Sequence, residues 1–374
     1  MLAFAAAAQA AAAGDRFVPA DASFVVARIA SSVPDAALRP LVQAWQENRD
    51  EADGIALAEA LLQRAHALRE PAYVGRAEAV LEPFAARSAG SPVARRLYAQ
   101  ALQHRHDFDG ALRILDEVLR EHSRDAEART LRATVRLVRG DFAGARADCA
   151  QLIVLGGVQG RIGLACLAEA LAGIGELDRA LALLATLPDG DTTADSYLLA
   201  VRAELLERDG READAIAHYR RALALDPGDD SIRAALADAL AAQGEVPEAF
   251  ALLETERPSL ALRVRRAALA PGDRRAGLAA DAAAWLALEA ARGDSIHGRE
   301  GALLALMNGD AVAALAAARA NFARQRELPD VRVLARAAVA AGDTPALQWL
   351  REWLVTTGYR DVVTARILAD ATRG

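Results

Sequence analysis

A chain of 374 residues that is 53% hydrophobic but only 5% aromatic takes much of its apolar content from alanine, which favours many closely packed helices over one bulky globular core. The net charge of −7, with all 44 basic residues arginine, leaves no concentrated basic stripe and argues against a nucleic-acid partner. No apolar run approaches the ~20 residues of a membrane-spanning helix, so a soluble product is expected.

Residues 1–13 form a short apolar run ending in Ala8-Gln9-Ala10 and Ala11-Ala12-Ala13, small-x-small sequences of the kind signal peptidases cut after. No Lys or Arg precedes Arg16, so the segment reads as a truncated export signal; if it is retained, the chain is cytoplasmic instead. No cysteine follows the candidate cleavage sites closely, and a lipoprotein anchor is not expected. Residues 14–33, with Phe24-Val25-Val26 and an interrupting Pro19, read as an irregular leader. Helical periodicity begins after Pro34. It predicts helices at 35–48, 52–68 and 71–87, a set of N-terminal hairpins over 34–91, with Pro71 and Pro92 suited to first helical turns.

From 92 to 258 the units fall into phase. The turns starting at His106, Gly140, Gly175, Gly210 and Gly244 are spaced 34, 35, 35 and 34 residues apart, and each leads to a small residue, Ala111, Ala145, Ala180, Ala215 or Ala249. Ala99, Ala133, Ala168, Ala203 and Ala237 hold a second small position earlier in each unit, where two antiparallel helices must approach closely. A fixed period of this size marks a repeat array, because one hairpin cannot bury its own apolar face and stacked copies can.

The order Ala203, Leu206, Gly210, Ala215, Tyr219, Ala222, Pro227, continued by Ala237, Leu240, Gly244 and Ala249, resembles the tetratricopeptide repeat family. The resemblance implies an all-α, right-handed α-solenoid of helical hairpins and a non-catalytic scaffold that needs no cofactor. It also implies that the first helix of each unit lines a concave groove for extended peptides or partner helices. The position after the small alanine is then Gln100, Thr134, Glu169, Glu204 and Asp238, with Glu207 one turn beyond Glu204 and Arg96, Gln103 and His104 in the first unit. Three acids in register would favour a basic or arginine-rich protein or peptide at the C-terminal half. The Lys and Asn by which some family members hold a partner's C-terminal carboxylate are absent from these positions, so that mode is not expected.

Over 259–374 the repeats become degenerate. Pro271-Gly272-Asp273 marks the turn of an irregular unit, and Gly309-Asp310 with Ala314 and Gly342-Asp343 with Ala346 mark two more. A helix carrying Trp349, Leu350, Trp353 and Leu354, begun by Thr344 and Pro345, is expected to seal the last repeat; a dimer contact through the two tryptophans is the sharper alternative.

His104, His106, Asp107 and Asp109 crowd into six residues but occupy a helix end and a turn, where such charges are electrostatically welcome, so no metal site is expected. Cys149 and Cys166 sit in adjacent units and are expected as buried free thiols, with pairing open if the chain is exported. No phosphate loop, nucleophile elbow or metalloprotease helix occurs. The expected function is a bacterial periplasmic adaptor, with a cytoplasmic adaptor as the alternative of the same class. An envelope enzyme on glycan or peptide, using Glu169 or Glu204 as general acid or base, is the alternative of another class. A raised carboxyl in a closed pocket would support it, and acids along an open groove would argue against it.

Overall fold

A computed structural model of the chain describes residues 37–68, 70–85, 90–188, 190–291 and 297–370. The export signal and leader read at 1–33 lie outside the described residues. Helix α1 (Leu38–Asn48) leads into the hairpins α2 (Glu51–Leu68) with α3 (Ala72–Ala85), α4 (Pro92–His104) with α5 (Phe108–Glu121), and α6 (Ala126–Arg139) with α7 (Phe142–Leu155). Next come α8 (Gly157–Gly173) with α9 (Leu177–Ala185), α10 (Thr193–Arg208) with α11 (Glu212–Leu225), and α12 (Asp230–Ala242) with the short α13 (Val246–Leu252). The chain continues through α14 (Leu260–Leu269) with α15 (Arg274–Ala291), α16 (Gly298–Met307) with α17 (Ala311–Phe322), α18 (Leu328–Ala340) with α19 (Thr344–Thr357), and finally α20 (Val362–Asp370). The described residues contain no strand, and none of their helices is long and apolar enough to cross a membrane.

The molecule is an all-α solenoid. Even-numbered helices pack on one another from α2 to α10 and from α12 to α20, and α11 joins the two runs. The small positions explain the close stacking: Ala99, Ala168, Ala203 and Ala237 are fully buried, as are Ala111, Ala145, Ala180, Ala215 and Ala249. Leucines fill the spaces beside them, Leu115, Leu177, Leu184, Leu205 and Leu240 among the most enclosed.

The recurring Gly-Asp pair has a two-part physical cause. Gly140 closes α6 at φ +74°, a left-handed conformation that costs other residues energy. Asp141 then caps α7, its Oδ1 accepting from the Gly144 N–H at 3.0 Å. Asp107, Asp310 and Asp343 cap α5, α17 and α19 in the same way. His106 stands where the other units have glycine and holds φ +58° all the same.

Two expectations are corrected. Cys149 and Cys166 form a disulfide, not free thiols, because α7 and α8 pack along their length and bring the two Cα atoms to 5.6 Å. The helix bearing Trp349 and Trp353 is also not the last element, since α20 follows it and packs on α18. Trp353 belongs to an aromatic cluster with Phe322 and Tyr359, their ring centroids 5.2 Å from its own. Trp349 meets Phe322 edge-on and remains 48% exposed.

The stack curves back on itself. The segment between α17 and α18 reaches the turns of early repeats: Arg326 N–H donates to the Val138 carbonyl at 2.7 Å, and Gln325 Nε2 lies 2.8 Å from His106 Nδ1. The segment between α19 and α20 reaches the next two turns, where Arg360 donates to Asp178 at 2.6 Å and Asp209 at 2.9 Å, and its carbonyl accepts from Arg208 Nε at 3.0 Å.

Candidate partner-binding site

Curvature divides the inner helix face into an open stretch and a covered one. The open stretch is a groove of about 790 Å³ across α2, α4, α6 and α8. Leu62, Leu97, Leu131 and Ile162 line it as apolar floor, and Gln63, Gln100, Gln159, Thr130 and Thr134 supply uncharged polar groups. A glutamine amide both donates and accepts, which matches the peptide main chain. Gln159 Oε1 is buried and has no hydrogen-bond partner among the described residues. Thr134 Oγ1 is turned to its own helix, donating to the Thr130 carbonyl at 3.1 Å.

Arg96 and Glu127 offset one another in this groove, and Glu59 adds an exposed carboxylate on its α2 side. Arg96, 17% exposed, is paired with Asp125 at 3.5 Å and with Glu127. His104 faces the groove beside His66, and desolvation by the groove walls, then the neighbouring imidazole, lowers its pKa. Gln103 is half-buried and outside the lining.

Glu169, Glu204 and Glu207 do not face an open groove, because α18 and the segment preceding α20 lie over them. Glu169 and Glu204 line a cavity of about 200 Å³ with Phe142, Tyr197, Arg208, Arg326, Leu328 and Tyr359. Tyr197 donates its hydroxyl to Glu169. Burial first, and then the Glu204 carboxylate, push Glu169 up to about 8; burial, with Glu327 and Glu207 adding repulsion, pushes Glu204 up to about 7. Arg208 does not pair with either. Its guanidinium donates to the carbonyls of Ala172 and Arg360 and lies 4.0 Å from the centre of the Tyr359 ring.

Glu207, only 6% exposed, is ion-paired with Arg332 and accepts from the Tyr219 hydroxyl at 3.2 Å. Asp238 is 46% exposed and bonded to Arg265 at 2.8 Å. The structure therefore brings Arg96, Gln100, His104 and Thr134 together, and places the acids elsewhere. Gln63, His66, Gln159 and Ile162 escaped the sequence reading: its register began at α4 and took a single position, Glu169, on α8. The spacing of Gln159, Ile162 and Glu169 on α8 was the available signal. Among the described residues, no three His, Cys, Asp or Glu converge to hold a metal.

These hairpins have a counterpart in sequence, since a tetratricopeptide repeat model matches residues 74–135 and 206–260. These two stretches are tetratricopeptide repeats. Solved tetratricopeptide repeat structures are similar to it at low identity. A thermophilic one from Thermus thermophilus is 25% identical over 48% of this chain and 98% of its own, with a TM-score of 0.42. One from Parabacteroides merdae is 14% identical over 80% and 97%, with a TM-score of 0.38. YrrB, described as having an unusual peptide-binding site, is 17% identical over 55% and 99%, with a TM-score of 0.32. A search of curated proteins finds no match.

Proposed function

We propose that this tetratricopeptide repeat scaffold is non-catalytic and holds an extended peptide or a partner helix in the groove formed by α2, α4, α6 and α8. The observation that carries it is the composition of that groove: Gln63, Gln100 and Gln159 over an apolar floor, with the Gln159 acceptor unsatisfied by any described residue. Such a surface recognises main chain and apolar side chains more than net charge. A basic partner would be favoured only at the acids of α8 and α10, which are covered here. An oxidising compartment suits the Cys149–Cys166 disulfide, and the bacterial periplasm is the location we assign, with the cytoplasm as the alternative.

A peptide array selected on the full chain, repeated with a Gln100→Arg/Gln159→Arg variant, tests the groove. Peptides retained by the native chain and lost by the folded variant support it, whereas equal binding to both removes the groove as the site.

One observation favours the envelope-enzyme reading, the raised carboxyls of Glu169 and Glu204 in a partly closed cavity. At about 200 Å³ the cavity is smaller than the ~300–1,000 Å³ typical of small-molecule sites. Turnover of glycan or peptide substrates that disappears in Glu169→Gln would establish catalysis in place of scaffolding.

A further inference from the structure

The contact between the C-terminal helices and the early repeats has a built geometry. Four successive turns carry it. A Cβ placed on Gly140 would stand 2.8 Å from Arg326 Cδ, one on Gly175 would stand 2.8 Å from the Gly358 carbonyl oxygen, and one on Gly210 would stand 3.3 Å from a Val362 methyl. His106, in the first of the four turns, meets Gln325. The equivalent glycines of later repeats, Gly244, Gly309 and Gly342, face open space.

Under this contact the acids are treated unequally. Glu207 and Asp361 share the Arg332 guanidinium. Among the described residues Glu169, on α8, and Glu204, one turn before Glu207 on α10, have no ion pair, and Glu169 has the Tyr197 hydroxyl alone as its hydrogen-bond donor. Closing the contact therefore takes two carboxyls largely out of water without an ion pair to either, a burial that the neutral form tolerates better.

We propose that α18 to α20 form a latch over α8 and α10 that is shut while Glu169 and Glu204 are protonated and opens as they ionise.

The other charged groups around the pair set the sign and the window. From α10, Glu204 and Glu207 oppose ionisation, while Arg208 favours it; Tyr197 donates to Glu169. From the α18 side, Glu327 opposes ionisation and Arg332 favours it. Arg326 and Tyr359 complete the wall. The balance holds Glu204 protonated to about 7 and Glu169 to about 8. The closed state thus binds more protons than the open one as pH rises from the ordinary carboxyl range, and the ratio of closed to open falls by up to about tenfold per pH unit for each titrating carboxyl.

A second group bounds the window from below. Burial, with His297, Arg324 and Arg299 beside it and only Glu300 opposing them, holds His106 neutral down to about 4. Neutral His106 can accept from Gln325 and its imidazolium cannot. The latch is therefore strongest near the ordinary carboxyl range, just above the His106 value of about 4, and weakens as pH rises from there through about 7 to about 8. Thr134 lines both the open groove and the covered cavity. Opening would extend the groove onto α8 and α10 and present Glu169, Glu204 and Glu207 at its far end.

Small-angle scattering of the full chain at about pH 6 and about pH 9, with helicity checked by circular dichroism, tests the latch against the proton linkage that defines it. The native chain should expand at the higher pH, Glu169→Gln/Glu204→Gln should stay compact at both, and Arg360→Glu, which breaks the exposed fork to Asp178 and Asp209, should be expanded at both. An unchanged native radius of gyration overturns the proposal, as does a double variant that expands as the native chain does. If the double variant loses helicity, Glu204→Gln alone decides: its expansion must move to higher pH than the native chain's, and an unmoved transition overturns the latch.

Discussion

Gly175 and Gly358 meet backbone to backbone, 183 positions apart, with the space for a Cβ on Gly175 already taken by the Gly358 carbonyl oxygen 2.8 Å away. Gly244 has the same left-handed conformation, φ +86° against +87°, and nothing within 4 Å of its Cβ position. The pair separates backbone strain from closure of the solenoid. Gly244→Ala should lose about 1–2 kcal/mol for the left-handed conformation alone. Gly175→Ala should lose that and roughly 1–3 kcal/mol more from overpacking, or release the C-terminal contact. Denaturant unfolding of both variants measures the difference, and equal losses would mean that the contact adds nothing to stability.

The Cys149–Cys166 disulfide closes a loop with a sequence separation of 17 between α7 and α8. In the chain-entropy account a loop of that size stabilises by about 3 kcal/mol. Thermal melting with and without reductant, beside Cys149→Ser/Cys166→Ser, should show both treatments lowering the transition by a similar amount. A melting curve that is indifferent to reductant and to the substitutions would remove the staple from the account of stability.

The local parts of this architecture were legible because they repeat. Gly140-Asp141, Gly309-Asp310 and Gly342-Asp343 each write a left-handed helix end and the cap of the next helix into two adjacent residues, and Ala99 and Ala203 mark where helix axes approach. The covering of Glu169 and Glu204 was not legible. It depends on Arg360 reaching Asp178 and Arg332 reaching Glu207, contacts between distant residues that follow no period and arise only from the accumulated rotation of many units. His106 did carry a hint. A non-glycine in the turn position marked the first repeat as different, and in the structure that residue touches the returning chain. The disulfide was left open for a similar reason, since spacing along the chain does not give the distance between helices.

Asp148 is 1% exposed and accepts from three arginines of α6: Arg129 at 3.2 Å, Arg132 at 2.6 Å and Arg136 at 2.7 Å. It ties the outer helix α7 to the inner helix α6 within one repeat. Asp148→Ala would leave clustered guanidinium groups without their shared counter-charge, and should cost about 3–5 kcal/mol. Asp116, 53% exposed and bonded to Arg132 at 2.7 Å, provides the control; Asp116→Ala should cost no more than about 1 kcal/mol. Urea denaturation of both variants checks the contrast. Similar losses at the two sites would show that burial does not set the strength of this network.

Tyr197→Phe tests the electrostatics of the covered cavity by removing one hydrogen bond and little volume. The Tyr197 hydroxyl donates to Glu169 and favours its ionised form, against burial and the Glu204 charge, which together hold it at about 8. Without the hydroxyl, Glu169 should titrate higher still. The consequence for stability follows from the proton balance. A carboxyl whose folded pKa lies above its unfolded value binds more protons in the folded state between the two, so its contribution is fully present below about 4.5 and is lost as pH rises toward about 8. In Tyr197→Phe that loss should continue to higher pH, leaving the variant further below the native chain at alkaline pH than at acidic pH. Carbon-13 NMR titration of the glutamate carboxyls reads the shift directly, and unfolding measured across the same pH range reads its energetic effect. A Glu169 resonance that titrates lower in the variant would show that the hydroxyl serves the neutral acid and not the carboxylate.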